Sequence, residues 1–219
     1  MAKNMNGTIP LDALVKWLEL FRTEVTEQRA YLTELDSAIG DADHGANMAR
    51  GMAAVMDKLE TSTPSTADEL FKSVGMTLVT SVGGASGPLY GTFFLRMGMT
   101  AGAVAEFDGA ALAAALRAGL DGIVARGKAE AGDKTMFDAL APALDAFDAA
   151  LADGTPIAAA AEVAADAAEA GRDATEPLVA RKGRASYLGE RSAGHLDPGS
   201  ASSALLMRTL ADVLSEFVT

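Results

Sequence analysis

Apolar side chains recur along almost the whole chain with a spacing near 3.6 residues, and no run shows the alternation of a strand. Leu11, Leu14, Val15, Leu18, Phe21 and Val25 form one stripe; Leu205, Leu206, Leu210, Val213, Leu214 and Phe217 form another at the far end. A stripe has one face to bury, so helix must pack on helix. Further helices are expected near 45–61, 66–82, 87–104, 109–127, 135–152 and 156–181, eight in all. Ser65 and Thr66 before Ala67, Asp108 before Gly109 and Thr135 before Met136 suit amino-terminal caps, while Gly102, Gly127 and Gly154 suit stops. Short connections make neighbours antiparallel. The expected fold is all-α, an eight-helix antiparallel up-and-down bundle or closed barrel. The alanine-rich run 158–168 favours helix and lets neighbours approach closely.

With 219 residues the chain suits one domain, 1–219, whose core needs no disulfide. There is no cysteine, and the amino terminus Met-Ala-Lys-Asn-Met-Asn-Gly-Thr lacks the apolar run of a signal peptide, so a cytoplasmic location is expected. The longest charge-free stretch, Ser73 to Leu95, contains five glycines and Pro88 and makes a poor membrane helix. A net charge of −12 argues against nucleic-acid and anionic-membrane partners. An anionic ligand would have to be held by local devices: metal ions, helix amino termini and a few placed cations.

Residues 36–47, Asp-Ser-Ala-Ile-Gly-Asp-Ala-Asp-His-Gly-Ala-Asn, concentrate Asp36, Asp41, Asp43 and His44 around Gly40 and Gly45. Three carboxylates this close repel one another, which protonation or a divalent cation relieves. A zinc site of Cys and His ligands cannot be assembled, because cysteine is absent and His44 and His195 lie far apart. A calcium loop starting at Asp41 fails too, with Gly45, Ala46 and Met52 at its fifth, sixth and twelfth positions. Two readings remain: Mg²⁺ carrying phosphates, or a solvated Asp/Gly turn that caps the next helix.

Two more polar loops interrupt the stripes. Gly83-Gly-Ala-Ser86-Gly-Pro88-Leu-Tyr-Gly91 suits either phosphate binding at a helix start or a tight interhelical turn. The segment Gly183 to Ser200, with Arg181 and Lys182 before it and Arg184 and Arg191 inside, is the most basic part of an acidic chain. It suits an arginine clamp on phosphate or base, or a solvated loop. His195 alone reads as a structural histidine rather than a base. Gly122 to Ala129 approximates a phosphate loop but continues the stripe of Leu116, Leu120 and Ile123 and is set aside. No Rossmann fingerprint, kinase loop set, Ser elbow or Cys-His pair is present.

Four segments in order, Asp36 to Asn47, Gly83 to Gly91, Gly132-Asp-Lys-Thr-Met136, and Gly183 to Arg191 with Asp197-Pro198-Gly199, resemble the nucleotide-binding L subunit of dihydroxyacetone kinase over essentially the whole chain. The resemblance implies an eight-helix barrel with ADP (or ATP) at one end and two Mg²⁺ held by Asp36, Asp41 and Asp43. It implies that His44, Gly45, Ala46 and Asn47 approach the nucleotide, that Ala85 and Ser86 bind at the glycine turn, and that Gly127, Met136, Arg184, Asp197, Pro198 and Gly199 complete the pocket. No residue of this chain is then a catalytic base. In this family the sugar sits on a histidine of a separate K subunit, and a multiphosphoryl M subunit recharges the nucleotide in the phosphotransferase-system version. An ATP-dependent kinase of dihydroxyacetone or erythrulose is the alternative within the family, and a noncatalytic nucleotide sensor the alternative outside it. The resemblance leaves a homodimer open.

Overall fold

The computed structural model describes residues 7–218; the stretch Met1–Asn6, on which the expectation about a signal peptide partly rests, lies outside the described residues. Among the described residues the fold is all-α: α1 (Leu11–Glu27), α2 (Arg29–Ile39), α3 (His44–Thr61), α4 (Ala67–Ser81), α5 (Ser86–Ala101), α6 (Gly109–Gly127), α7 (Phe137–Ala152), α8 (Ile157–Ala174) and α9 (Pro198–Phe217), with a 3₁₀ segment at Arg184–Ser192. The first stripe faces inward, burying Leu14, Leu18, Phe21 and Val25 with Leu11 and Val15 partly buried, and Trp17 is buried beside it.

Three elements depart from expectation. Helix α2 has no counterpart among the stripes; only Gln28 (φ −90°, ψ 12°) divides it from α1, and no glycine or proline marks the break. Helix α8 stops at Ala174 rather than 181. Thr175 Oγ1 donates to the Arg172 carbonyl at 2.6 Å, and Pro177 follows, which has no N–H with which to continue the helix. Two-residue strands β1 (Ile9–Pro10) and β2 (Glu106–Phe107) pair antiparallel, too briefly for alternation to register in the sequence. The expected cap at Asp108 is present, its Oδ1 accepting from Ala111 N at 2.7 Å.

Helices α3 to α9 each pack on the next in chain order, α9 packs on α1, and α1 on α3, so the neighbour relations close into a cycle. Helix α2 lies outside that cycle against α3, α9 and the 3₁₀ segment. Helices α4 and α5 are antiparallel, since Asp68 and Lys72 of α4 face Gly98 of α5 whereas Gly75 faces Gly91 and Leu95; so are α5 and α6, where Gly119 faces Phe93 and Gly127 faces Leu89. Adjacent helices are also ion-paired: Arg117 of α6 bonds Asp145 and Asp148 of α7, and Arg208 of α9 bonds Glu162, Asp166 and Glu169 of α8. One continuous core holds the aromatic cluster of Trp17, Phe71, Phe94 and Phe107; the Trp17 ring lies 5.9 Å from Phe94, and its Nε1 donates to the Leu206 carbonyl at 2.9 Å. The alanine-rich face of α8 buries Ala160, Ala161, Ala164, Ala165 and Ala168.

The up-and-down path gathers the connections α2–α3, α4–α5, α6–α7 and α8–α9 at one end. The stretch Ser73 to Leu95 is split between α4 and α5, and among the described residues no helix is long and apolar enough to cross a membrane.

The α4–α5 contact is close enough that a Cβ on Gly75 would lie 2.7 Å from the Gly91 carbonyl oxygen and 2.8 Å from Leu95 N. Backbone cannot yield as a side chain does. Gly75→Ala is therefore expected to lower stability by about 1–3 kcal/mol, overriding alanine's helix preference of roughly 1 kcal/mol. Urea unfolding checks this, and an unchanged or raised stability would contradict it.

Candidate functional site

The α2–α3 turn is organised by a carboxylate acting across it. Asp36, buried in the last turn of α2, accepts the N–H groups of Asp43 at 2.8 Å and His44 at 3.0 Å through Oδ2. It thus caps a helix to which it does not belong, satisfying donors that would otherwise be orphaned. Gly40 permits the turn, since a Cβ there would collide with the Asp36 carboxylate. Ala42 adopts a left-handed φ of +60°. As a result one oxygen from each of Asp36, Asp41 and Asp43 lies within 4.8 Å of the others. Among the described residues no other three acidic or histidine side chains converge this way. Among the described residues the triad's one ion-paired cation is Arg184, whose Nε lies 3.0 Å from Asp41 Oδ2. Three hard oxygen donors against one guanidinium suit a divalent cation of the Mg²⁺ type.

Beside this turn, His44 is held by a buried polar chain. Its Nδ1 is hydrogen-bonded to Ser86 Oγ at 3.1 Å and its Nε2 to Ser202 Oγ at 2.9 Å; Ser202 continues to Tyr90 Oη at 2.8 Å, and Tyr90 to Ser203 at 2.9 Å. The amino-terminal turns of α3, α5 and α9 are thereby tied together. Burial holds the imidazole below its ordinary pKa, against the raising pull of Asp36 and Asp43. Burial likewise pushes the Tyr90 phenol up to about 12. A neutral imidazole with both nitrogens engaged positions its neighbours; it is not placed to collect a proton.

The remaining walls are helix termini. The α4–α5 turn uses Gly84 at φ +67°, and Gly87 abuts the Val82 carbonyl, where a side chain would clash. Before α7, Asp138 accepts from Gly132 N at 2.5 Å and Thr135 N at 2.8 Å, and Phe137 N donates to Thr135 Oγ1 at 3.2 Å; the N-cap position itself is Met136, one residue beyond the Thr135 expected there. Asp197 caps α9, accepting from Ser200 N at 2.6 Å, with Pro198 in the first turn. Burial pushes the Asp197 carboxyl up to about 7; the charges of Asp138 and Asp36 add to this, while the Ser200 N–H and Lys134 oppose it.

These termini enclose a cavity of about 450 Å³. Asp36, Asp41, Asp43 and His44 line one side; Ala85, Ser86, Gly127 and Met136 line another; Arg184, Asp197, Pro198 and Gly199 complete the wall. Three expected residues do not line it. Gly45 is pressed against the Arg29 carbonyl of α2, where a side chain would clash. Ala46 faces a shallow groove on the far side of α3 with Arg29 and Thr33, and Asn47 is buried beneath Gly83, its Oδ1 accepting from Arg50 at 2.6 Å. Residues i+1 to i+3 of a helix point around its circumference, so four consecutive residues cannot share one wall.

Residue-level reading also missed lining groups. Ile39, Leu89, Ile123 and Ala129 give the cavity an apolar flank, and Arg126, Lys134 and Lys182 supply cations. The stripe of Leu116, Leu120 and Ile123 carried a signal for the flank, because it runs out at the site end of α6. The approximate phosphate loop at Gly122 is α6 itself, and Gly127 contributes only as its last residue. His195 is exposed and, among the described residues, makes no hydrogen bond of the kind expected of a structural histidine.

Against proteins already characterised, residues 38–212 match the model of the DAK2 domain. The chain is 46% identical over 207 residues to the PTS-dependent dihydroxyacetone kinase, ADP-binding subunit DhaL of Lactococcus lactis, covering 94% of this chain and 100% of that one. It is 44% identical to the PEP-dependent dihydroxyacetone kinase, ADP-binding subunit DhaL of Escherichia coli, over 90% of this chain and 94% of that one. Its fold is similar to the dihydroxyacetone kinase of C. freundii in complex with AMP-PNP and Mg²⁺, at a TM-score of 0.69 and 29% identity, covering 90% of this chain and 33% of that one.

The Asp197 carboxyl generates a pH prediction. With a native value of about 7 against an unfolded value of about 3.9, it holds its proton more tightly when folded, so its stabilising contribution is present at low pH and lost as pH rises through 7. Asp197→Asn keeps an oxygen for the α9 cap and removes the buried charge. In nucleotide-free protein the variant is expected to gain stability relative to wild type between pH 5 and 8 in urea unfolding. A difference independent of pH would contradict the assignment.

Proposed function

Because the chain belongs to the DAK2 domain family, we propose that it is the ADP-binding subunit of a phosphotransferase-system-dependent dihydroxyacetone kinase, passing phosphate from an M subunit through bound ADP/ATP to dihydroxyacetone held on a K subunit. The observation that carries this reading is a single cavity lined by the carboxylate triad, by cations and by the apolar side chains Leu89, Ile123 and Met136. That combination suits phosphates met by the triad and cations and a purine met by the apolar side chains. The cyclic, antiparallel order of the helices supports the eight-helix barrel of the same reading.

On this reading Asp36, Asp41 and Asp43 hold two Mg²⁺, whose chemistry when bound is to neutralise and orient the phosphates. The chain's own residues do the rest. Asp36 fixes the turn by capping α3, and the Ser86–His44–Ser202 bonds lock the α3, α5 and α9 termini around the nucleotide. Arg126, Lys182 and Arg184 offset anionic charge at the rim. Gly45, Ala46 and Asn47 act through the helix backbone and packing rather than through the wall. Phosphoryl transfer depends chiefly on positioning and charge, so a site whose one histidine is locked and neutral is adequate on this side. The sugar and its base belong to the K subunit.

The test is phosphorylation of dihydroxyacetone by the purified chain with K subunit added, comparing ATP with phosphoenolpyruvate plus the M subunit and general phosphotransferase proteins. Activity is expected from phosphoenolpyruvate. Full activity with ATP alone would shift the assignment to an ATP-dependent ketose kinase, and activity with neither would favour a nucleotide sensor. Asp41→Asn, at the exposed corner of the triad, is expected to lower the transfer rate by roughly 100-fold or more while leaving the helical circular dichroism unchanged. Loss of the fold would instead mean that the triad is structural.

A further inference from the structure

Lys134 is the least ordinary cation in the molecule. Its backbone is left-handed, at φ +64°, and its side chain is 1% exposed. The ammonium donates to three main-chain carbonyls: Ser192 at 2.6 Å, Leu178 at 3.0 Å and Glu176 at 3.4 Å. An ammonium has three N–H donors, and all three are spent. Although Lys134 lines the cavity, it has no donor left for a ligand.

The three acceptors identify what it does instead. Glu176 and Leu178 lie where the chain leaves α8, and Ser192 lies where it returns toward α9, so the ammonium joins the two sides of a loop at its neck. The same neck is closed by Gly194 N to the Glu176 carbonyl at 2.8 Å and Ala180 N to Ser192 Oγ at 2.8 Å. Arg181 N bonds the carbonyl of Asp133, the residue before Lys134, at 3.1 Å. Beyond the neck, Lys182, Gly183, Arg184 and Ala185 face the cavity, and Arg184 reaches Asp41. The loop has only a small apolar patch of its own, Ile39, Ala180 and Ala185 with Leu188. An apolar side chain at 134 would fill the volume but leave carbonyls converging on one point without a donor.

We propose that Lys134 is a positioning residue: it pins the neck of the 176–194 loop and so holds Lys182 and Arg184 at the phosphate side of the cavity. This rests on the nucleotide reading above for what those cations meet. It assigns the buried lysine of the Gly132–Met136 segment to building the clamp rather than to touching phosphate. Leu89 and Ile123, the apolar lining contributed by α5 and α6, stand outside the loop that the pin holds.

The test compares Lys134→Met with wild type in the full chain. MgADP affinity is expected to fall about tenfold or more, while binding of adenosine, which has no phosphate, stays unchanged. Combined with Arg184→Ala, the losses are expected to fall short of additive, because Lys134 acts through the residues it places. Limited trypsin digestion after Arg181, Lys182 and Arg184 is expected to accelerate in the variant. Ser192→Ala, which loosens the same neck without removing a buried charge, is expected to reproduce the MgADP-against-adenosine split at smaller size, and decides the matter if Lys134→Met fails to fold. Wild-type MgADP affinity in the variants, equal loss of adenosine and MgADP, or fully additive losses would overturn the proposal. If wild type itself binds no MgADP, the nucleotide reading fails, and unchanged tryptic cleavage would separately overturn the pin.

Discussion

The Asp36 carboxylate accepts the N–H groups of Asp43 and His44, and the geometry of the site end follows from those two bonds. They fix where α3 begins, and with it the direction of the His44 ring toward Ser86 and Ser202. They also fold the backbone between Gly40 and Asp43 so that Asp41 and Asp43 close on Asp36. A carboxylate at a helix amino terminus is stabilised by the helix's exposed N–H groups and partial positive charge, which offsets part of the repulsion among three acids. The same residue thus serves as cap and as candidate ligand, and neither role can be altered without disturbing the other.

Helical architecture explains why the chemistry is confined to one end. The interior is filled by apolar side chains from every α-helix, so buried polar side chains gather chiefly where helices stop. An antiparallel path sends alternate connections to opposite ends. The far end has the connections 62–66, 102–108 and 153–156, whereas the site end carries 40–43, 82–85, 128–136 and the long 175–197 segment. Glycine contacts between α4 and α5 and alanine contacts along α8 bring backbones together, and the helix termini therefore converge tightly enough to wall a cavity.

The all-α class, and all but one of the helices, are visible in the 3.6-residue stripes, because burial of one face is a strong and periodic constraint. The break at Gln28 is invisible to it, since a change of helix direction without glycine or proline leaves periodicity almost intact. The end of α8 was legible in principle from Pro177, but alanine propensity outweighed it in a reading by composition. At the site, the carboxylates, the glycine turn and the basic loop stand out because their residue types are expensive to place elsewhere. Lys134 does not: its burial depends on three carbonyls from a distant segment, and no local pattern encodes that. Gly45 to Asn47 follow His44 on α3 but are distributed around its axis, so of that run only His44 lines the cavity.

The central claim is that the Asp36, Asp41 and Asp43 cluster holds a nucleotide through divalent cations rather than by direct contact. Calorimetric titration of ADP into nucleotide-free chain, in Mg²⁺ and again in excess chelator, tests it most directly. Binding that is tight with Mg²⁺ and lost in chelator is the expected result. Equal affinity in both would show that the carboxylates only shape the turn, and would contradict the claim.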